Sequence, residues 1–269
     1  MSIVLGMSLV LCQQGSTAED KQRFPSTNVV GSAILAGRWE RANELLVEIR
    51  ATKSRLEDGS MASLMDGGRI GADNYYANIL TGIRLYKEAG ASPNEANGKA
   101  LYLAAEGDKY GQITERLLQY GADPNHRFYH PEGIAKKFGG IPPLGVVYYE
   151  VPAKNLLKYH AKPDVFFPFN RNEELTIYQV TPLMRTVILK GAHKVTSLLL
   201  QNKANPNLKC PENGMTALHF AAKYNYDDVI PMLLKAKADK SLKDKNGRTP
   251  LAVARKYKSL KAIKALGGR

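Results

Sequence analysis

A pattern that returns after 33 residues limits the fold of this chain more than any other feature. TALHFAAKYNYDDVIPMLLKAKADKSL at 216–242 is followed by NGRTPLAVARKYKSLKAIKAL at 246–266, which sets Thr216 and Thr249 33 residues apart. Each copy opens with Thr, then Ala or Pro, then Leu, and places alanines at helical spacing. A second apolar stretch, Leu233-Leu234 in the first copy, precedes a small turn. A unit this short cannot bury its own apolar face. It must stack on copies of itself, so the period predicts a solenoid of helix pairs rather than a globule around one centre.

The copies continue upstream. TPLMRTVILKGAHKVTSLLLQNKANPN at 181–207 matches with one extra residue between its opening and its leucines. IPPLGVVYYEVPAKNLLKYHAKPD at 141–164 keeps the opening and Leu156-Leu157 but runs short, and Pro152 is expected to break any long first helix. KALYLAAEGDKYGQITERLLQYGADPN at 99–125 is nearly complete, whereas YYANILTGIRLYKEAGASPN at 75–94 keeps mainly its second half. VVGSAILAGRWERANELL at 29–46 holds Ala33, Gly37 and Leu45-Leu46 at the repeat offsets. In period, opening and turn, residues 28–266 resemble the ankyrin repeat. The resemblance implies an all-α ankyrin-repeat solenoid of about six to seven repeats, some degenerate, with long irregular finger loops. It also implies that the Thr side chains cap the first helices and that Leu218 and Leu251 fill the interfaces between repeats. Ala221-Ala222 would let helices approach closely. His219, in the T-x-L-H opening, resembles the ankyrin histidine that hydrogen-bonds neighbouring turns, and this tells against a base.

Three stretches leave the pattern. Residues 47–73 insert a polar, Gly-rich run between the first two copies. HRFYHPEGIAKKFGG at 126–140 and VFFPFNRNEELTIYQV at 165–180 fall where ankyrin fingers project. The two fingers hold many aromatics. Phe128, Tyr129 and Phe138 stand with Lys136 and Lys137 on the first, and Phe166, Phe167 and Phe169 with Arg171 on the second. Two readings stay open: the rings anchor a partner inside a charged rim, or they tuck against the solenoid and cover its short middle repeat. On the first reading Tyr148, Tyr149, Tyr224 and Tyr226 are expected to extend the partner-binding surface along the helices.

The formal net charge is +13 and it is uneven: residues 232–269 hold twelve Lys/Arg against Asp239 and Asp244 alone. Such an end fits an acidic protein partner, nucleic acid or anionic lipid, since summed charge steers association without choosing among them. In the last helical stretch Lys258, Lys261 and Lys264 are expected on one face and Leu260, Ile263 and Leu266 on the other, as in an amphipathic end cap. No nucleic-acid module accompanies the charge, which makes a protein with an acidic surface the expected partner.

The segment MSIVLGMSLVLC ends at Cys12 and is followed by QQGSTAEDKQ, a pattern that resembles a bacterial lipoprotein signal. It departs from that pattern in having Leu11 before the cysteine and no Lys/Arg ahead of the apolar run. A plain signal peptide cut after Ala18, or a misassigned start codon, fits as well. On this basis 1–18 is signal-like, 19–27 a linker and 28–266 the repeat domain, with Cys12 the lipidation candidate and possible membrane tether. Periplasm or membrane-anchored envelope is the expected place, or the cytoplasm if the segment is no signal. Only Cys12 and Cys210 occur, so no internal disulfide is expected once Cys12 is removed or acylated.

No G-x-S-x-G, Walker-type, H-E-x-x-H or dinucleotide glycine signature is present, so no enzyme, cofactor or small-molecule substrate is expected. His126 and His130 flank Phe128 without a third ligand, and no metal is expected there. Exported ankyrin proteins include immunity proteins that neutralise type VI secretion lipase effectors, and the chain resembles these in architecture and compartment. The resulting expectation is a solenoid that captures or neutralises a protein such as a toxic phospholipase. The alternative is a structural or assembly factor supporting an envelope enzyme or complex; a nucleic-acid-associated basic protein ranks behind both.

Overall fold

The computed structural model describes residues 33, 42, 73–88, 90–129, 139–170, 177–189 and 192–268. The signal-like segment with Cys12, most of the 29–46 copy and nearly all of the 47–73 insertion lie outside the described residues. Among the described residues eleven helices follow one another: α1 Asp73–Glu88, α2 Glu95–Gly107, α3 Gln112–Gln119, α4 Pro143–Val146, α5 Glu150–Lys158, α6 Pro182–Ile188, α7 His193–Gln201, α8 Ala217–Lys223, α9 Val229–Lys235, α10 Pro250–Lys256 and α11 Leu260–Ala265. β1 Phe167–Phe169 and β2 Tyr178–Val180 form a small hairpin ahead of α6. Helices α2, α4, α6, α8 and α10 stack in one layer, and α1, α3, α5, α7, α9 and α11 in a second. None of the described helices is long and apolar enough to cross a membrane.

Local chemistry explains the repeating shape. Thr181 and Thr249 cap α6 and α10 by accepting from the backbone N–H of Met184 and Ala252, each at 3.3 Å. Pro182 and Pro250 follow at the first helical position, where a missing N–H removes no bond. Ala104, Ala105, Ala221, Ala222 and Ala254 are fully buried, and their small side chains let neighbouring first helices approach. Every second helix from α1 to α11 closes the same way. The residue after its last turn (Gly90, Gly121, His160, Lys203, Lys237, Gly267) has positive φ, and the next residue donates back five positions. At His160, Lys203 and Lys237 a side chain tolerates a conformation that glycine adopts freely.

Side chains in the turns then staple one repeat to the next. Asn94 donates to Gly121 O at 2.9 Å and accepts from Asp123 N at 2.8 Å. Asn125 does the same with His160 O and Lys162 N, and Asn207 with Lys237 O and Asp239 N. Asp164 occupies the equivalent place and makes the accepting half alone, from Asn205 N at 2.9 Å. This ladder fixes where each finger leaves the stack.

Two expectations are corrected. Pro152 does not break a first helix: it is the third residue of α5, where the N–H would lack an intrahelical partner anyway. The first helix α4 is short because Val147 turns out of it at ψ 132°. In the last repeat, Leu260 does not join the apolar face. The buried residues of α11 are Ala262 and, just beyond it, Leu266. Leu260 lies two positions before Ala262, about 200° round the helix, and is 75% exposed.

Candidate protein-binding surface

The fingers emerge at the N-terminal ends of the first helices. In the first, Phe128 N–H donates to Ile141 O at 3.0 Å and Ile141 N–H returns the bond at 2.9 Å, closing the base of the loop. A side chain at Gly140 would come within 2.7 Å of Phe128 O, so this close pairing requires glycine. In the second, β1 and β2 pair antiparallel with Phe167 opposite Val180 and Phe169 opposite Tyr178. Arg127 ties the two together by donating to Gly140 O at 3.2 Å and Phe166 O at 2.6 Å.

The predicted residues divide by burial. Phe128 is 8% and Phe167 1% exposed, so neither offers its ring to a partner. Phe128 packs on Tyr102 with ring centroids 4.7 Å apart, and Phe167 sits against Gly145 of the short α4. Phe166 and Phe169 are half-buried on the core, while Tyr129 is 44% exposed at the finger. Lys136, Lys137, Phe138 and Arg171 lie outside the described residues. Tyr148 and Tyr149, in edge contact at 5.7 Å, and Tyr224 and Tyr226, at 6.0 Å, occupy the short turns joining first to second helices. Those turns are at the other end of the helices from the fingers, so these tyrosines do not extend the finger surface.

The residues that do adjoin the fingers come from α2 and α6. Tyr102 follows Leu101 as His219 follows Leu218 in a later copy. Both reach the next repeat: Tyr102 stacks on Phe128, and His219 Nε2 meets Arg248 O at 3.0 Å. From α6, Arg185 lays its guanidinium over Phe169, 5.9 Å from the ring centroid, and donates to Val147 O at 3.1 Å. Burial lowers the pKa of Arg185, while the charge of Glu106 on α2 favours the cation. Burial, and then the Glu106 charge, push Tyr102 up to about 12 against the opposing pull of Arg185, so its hydroxyl stays protonated. The arrangement is a cation and a phenol among aromatic rings, able to receive a carboxylate and an apolar side chain together. Repeat position alone could have flagged Arg185. It stands four residues after Thr181, where the later copies have Phe220 and Val253.

Other reactive groups are accounted for structurally. Cys210 is buried and donates to Glu212 Oε2 at 3.1 Å; burial and that hydrogen bond push its thiol up to about 12. Asp108 accepts from Gly111 N and Thr114 N, both at 2.7 Å, which caps the start of α3. Among the described residues, no group of three or more His, Cys, Asp or Glu could hold a metal ion.

The family described as "Ankyrin repeats (3 copies)" matches residues 153–244 and, overlapping, 183–268. The fold is that of an ankyrin-repeat solenoid, with ankyrin repeats matched over residues 153–268. A crystal structure of the ankyrin repeat domain of Bcl-3 superposes with a TM-score of 0.69, covering 89% of this chain and 97% of that one at 24% identity, a likeness of fold. A putative ankyrin repeat protein of Fowlpox virus (strain NVSL) is 31% identical over 145 residues, 53% of this chain and 66% of its own length. The human 2-5A-dependent ribonuclease is 41% identical over 56 residues, 21% of this chain and 8% of that protein. The chain thus spans just under two thirds of the viral relative and a small part of the human one. Ankyrin repeats are a protein-interaction scaffold, and a protein is the kind of partner such a domain takes.

Proposed function

We propose that this solenoid captures one protein partner on its finger side, with an acidic residue of that partner seated on Arg185. The observation that carries this reading is the half-buried guanidinium over Phe169, beside Tyr102 and within the field of Glu106. A half-buried, preorganised arginine among aromatics is the composition of interface hot spots, and the +13 net charge favours an acidic partner. The narrower reading is an exported protein that neutralises a phospholipase in the bacterial envelope. It is supported by the composition of residues 1–18 and by analogy of architecture, and an uncleaved chain recovered in the cytosol would refute it. The partner site is tested by placing a photo-crosslinking amino acid at Tyr129 and, in a second variant, at Tyr148. The Tyr129 variant should trap one discrete protein in the native host. Trapping at Tyr148 alone would move the interface to the opposite end of the helices.

A further inference from the structure

The last repeat carries a surface that capture at the fingers does not use. Where one repeat has Asp227-Asp228, the next has Leu260-Lys261, 33 residues on. The exchange leaves Leu260 75% exposed at the start of α11, with Tyr257, 46% exposed, in the turn before it. Lys256, Lys258 and Lys261 are exposed around them. Lys256 and, from the preceding repeat, Lys223 lie over the Tyr257 ring at 5.8 and 5.3 Å. Residues 245–269 contain eight Lys/Arg and no Asp or Glu. Arg248 of this segment is paired with Asp244 at 2.7 Å, and in the turn of the preceding repeat Asp228 faces His193 Nε2 at 3.2 Å.

These features choose among the partners that a basic end can take. Charge alone would serve an acidic protein, but a leucine projecting from a helix–helix turn offers no pocket for a partner's side chain. It can enter a soft apolar phase. A tyrosine beside it suits the polar boundary of that phase, and lysines can bury their stems while their ammonium groups reach phosphates. Basic residues at such a boundary are attracted to anionic lipid within a Debye length.

We propose that the α10–α11 turn docks the solenoid on an anionic lipid bilayer. Leu260 and Tyr257 enter the headgroup region, and Lys256, Lys258 and Lys261 meet lipid phosphates. This contact needs neither Cys12 nor the fingers, and it would hold the stack by its C-terminal end.

The test is sedimentation of the full chain with phosphatidylglycerol-containing vesicles, compared with pure phosphatidylcholine vesicles. The parent should partition onto the anionic vesicles only. Leu260→Ser changes no charge and, being at an exposed position, should keep the parent melting temperature; its partition coefficient should fall about tenfold. Lys240→Gln with Lys243→Gln removes two charges away from the turn and should have a smaller effect than Leu260→Ser. A second readout reports the turn itself: an environment-sensitive fluorophore on Lys258→Cys, in a Cys12→Ser background, should shift to the blue on anionic vesicles. Unchanged partitioning of Leu260→Ser, or a fluorophore that stays in water, would overturn the proposal. So would loss of Leu260→Ser binding to soluble polyglutamate with vesicle binding intact, since the turn would then serve an acidic polypeptide.

Discussion

At the scale of single residues, His219 shows how a repeat uses a polar group without chemistry. Its Nδ1 accepts from Thr216 N at 3.2 Å, which places the proton on Nε2, where it donates to Arg248 O at 3.0 Å. Each nitrogen is used in the neutral ring, where Nδ1 also meets the Thr216 hydroxyl at 2.9 Å, and protonation would remove the acceptor of Thr216 N. Burial lowers its pKa, with the Arg248 carbonyl and Asp244 opposing. The folded value is therefore below the unfolded one of about 6.5, and the unfolded chain binds the extra proton first. The neutral ring's contribution is complete above that value and is lost as pH falls from it towards the lowered folded value. Between about pH 7.5 and 5.5 the wild type should lose more stability than His219→Gln, as measured by denaturant midpoints. The His193–Asp228 pair, at 3.2 Å, is common to both proteins and cancels in the comparison. Equal losses would remove His219 from the pH response.

At the scale of elements, the described finger residues form a base that packs on the stack, with Tyr129 exposed beside it. Phe128 and Phe167 belong to the base. Phe167→Ala should cost about 3–5 kcal/mol and Phe128→Ala about 3 kcal/mol, read as a lower denaturation midpoint, with affinity per folded molecule nearly kept. Loss of affinity at unchanged stability would instead make them anchors. The stack itself was legible in the sequence because its signals are local: a period of 33, Thr before a first helix, Leu-Leu in a second. The burial of Phe128 was not, because it depends on Tyr102, 26 residues earlier in the chain, meeting it across a repeat boundary. The outward turn of Leu260 is not legible for a related reason. Its spacing from Ile263 and Leu266 looks amphipathic, but the short helix α11 faces the stack through Ala262. Arg185 carries no local signal of its role, because the groups that give it one, Phe169 and Val147, belong to the finger and to the preceding repeat.

At the scale of the whole molecule, the described repeats pack each on its neighbours, so stability is a chain of interfaces and binding surfaces run along its edges. One edge carries the fingers and Arg185; the opposite one carries the helix–helix turns with their tyrosines and lysines. Separating the two explains how a chain of net charge +13 can be selective. On the proposed reading, charge would gather partners at either edge and the site around Arg185 would select one. The most direct measurement is the affinity of the partner trapped at Tyr129 for Arg185→Gln and, as a control at the other edge, Tyr224→Ala, each with its melting temperature. A half-buried arginine paired across an interface should cost on the order of 2 kcal/mol or more, about thirtyfold in Kd, on truncation. Tyr224→Ala should change Kd less than threefold. An Arg185→Gln protein that folds and binds like the parent would contradict capture at this site.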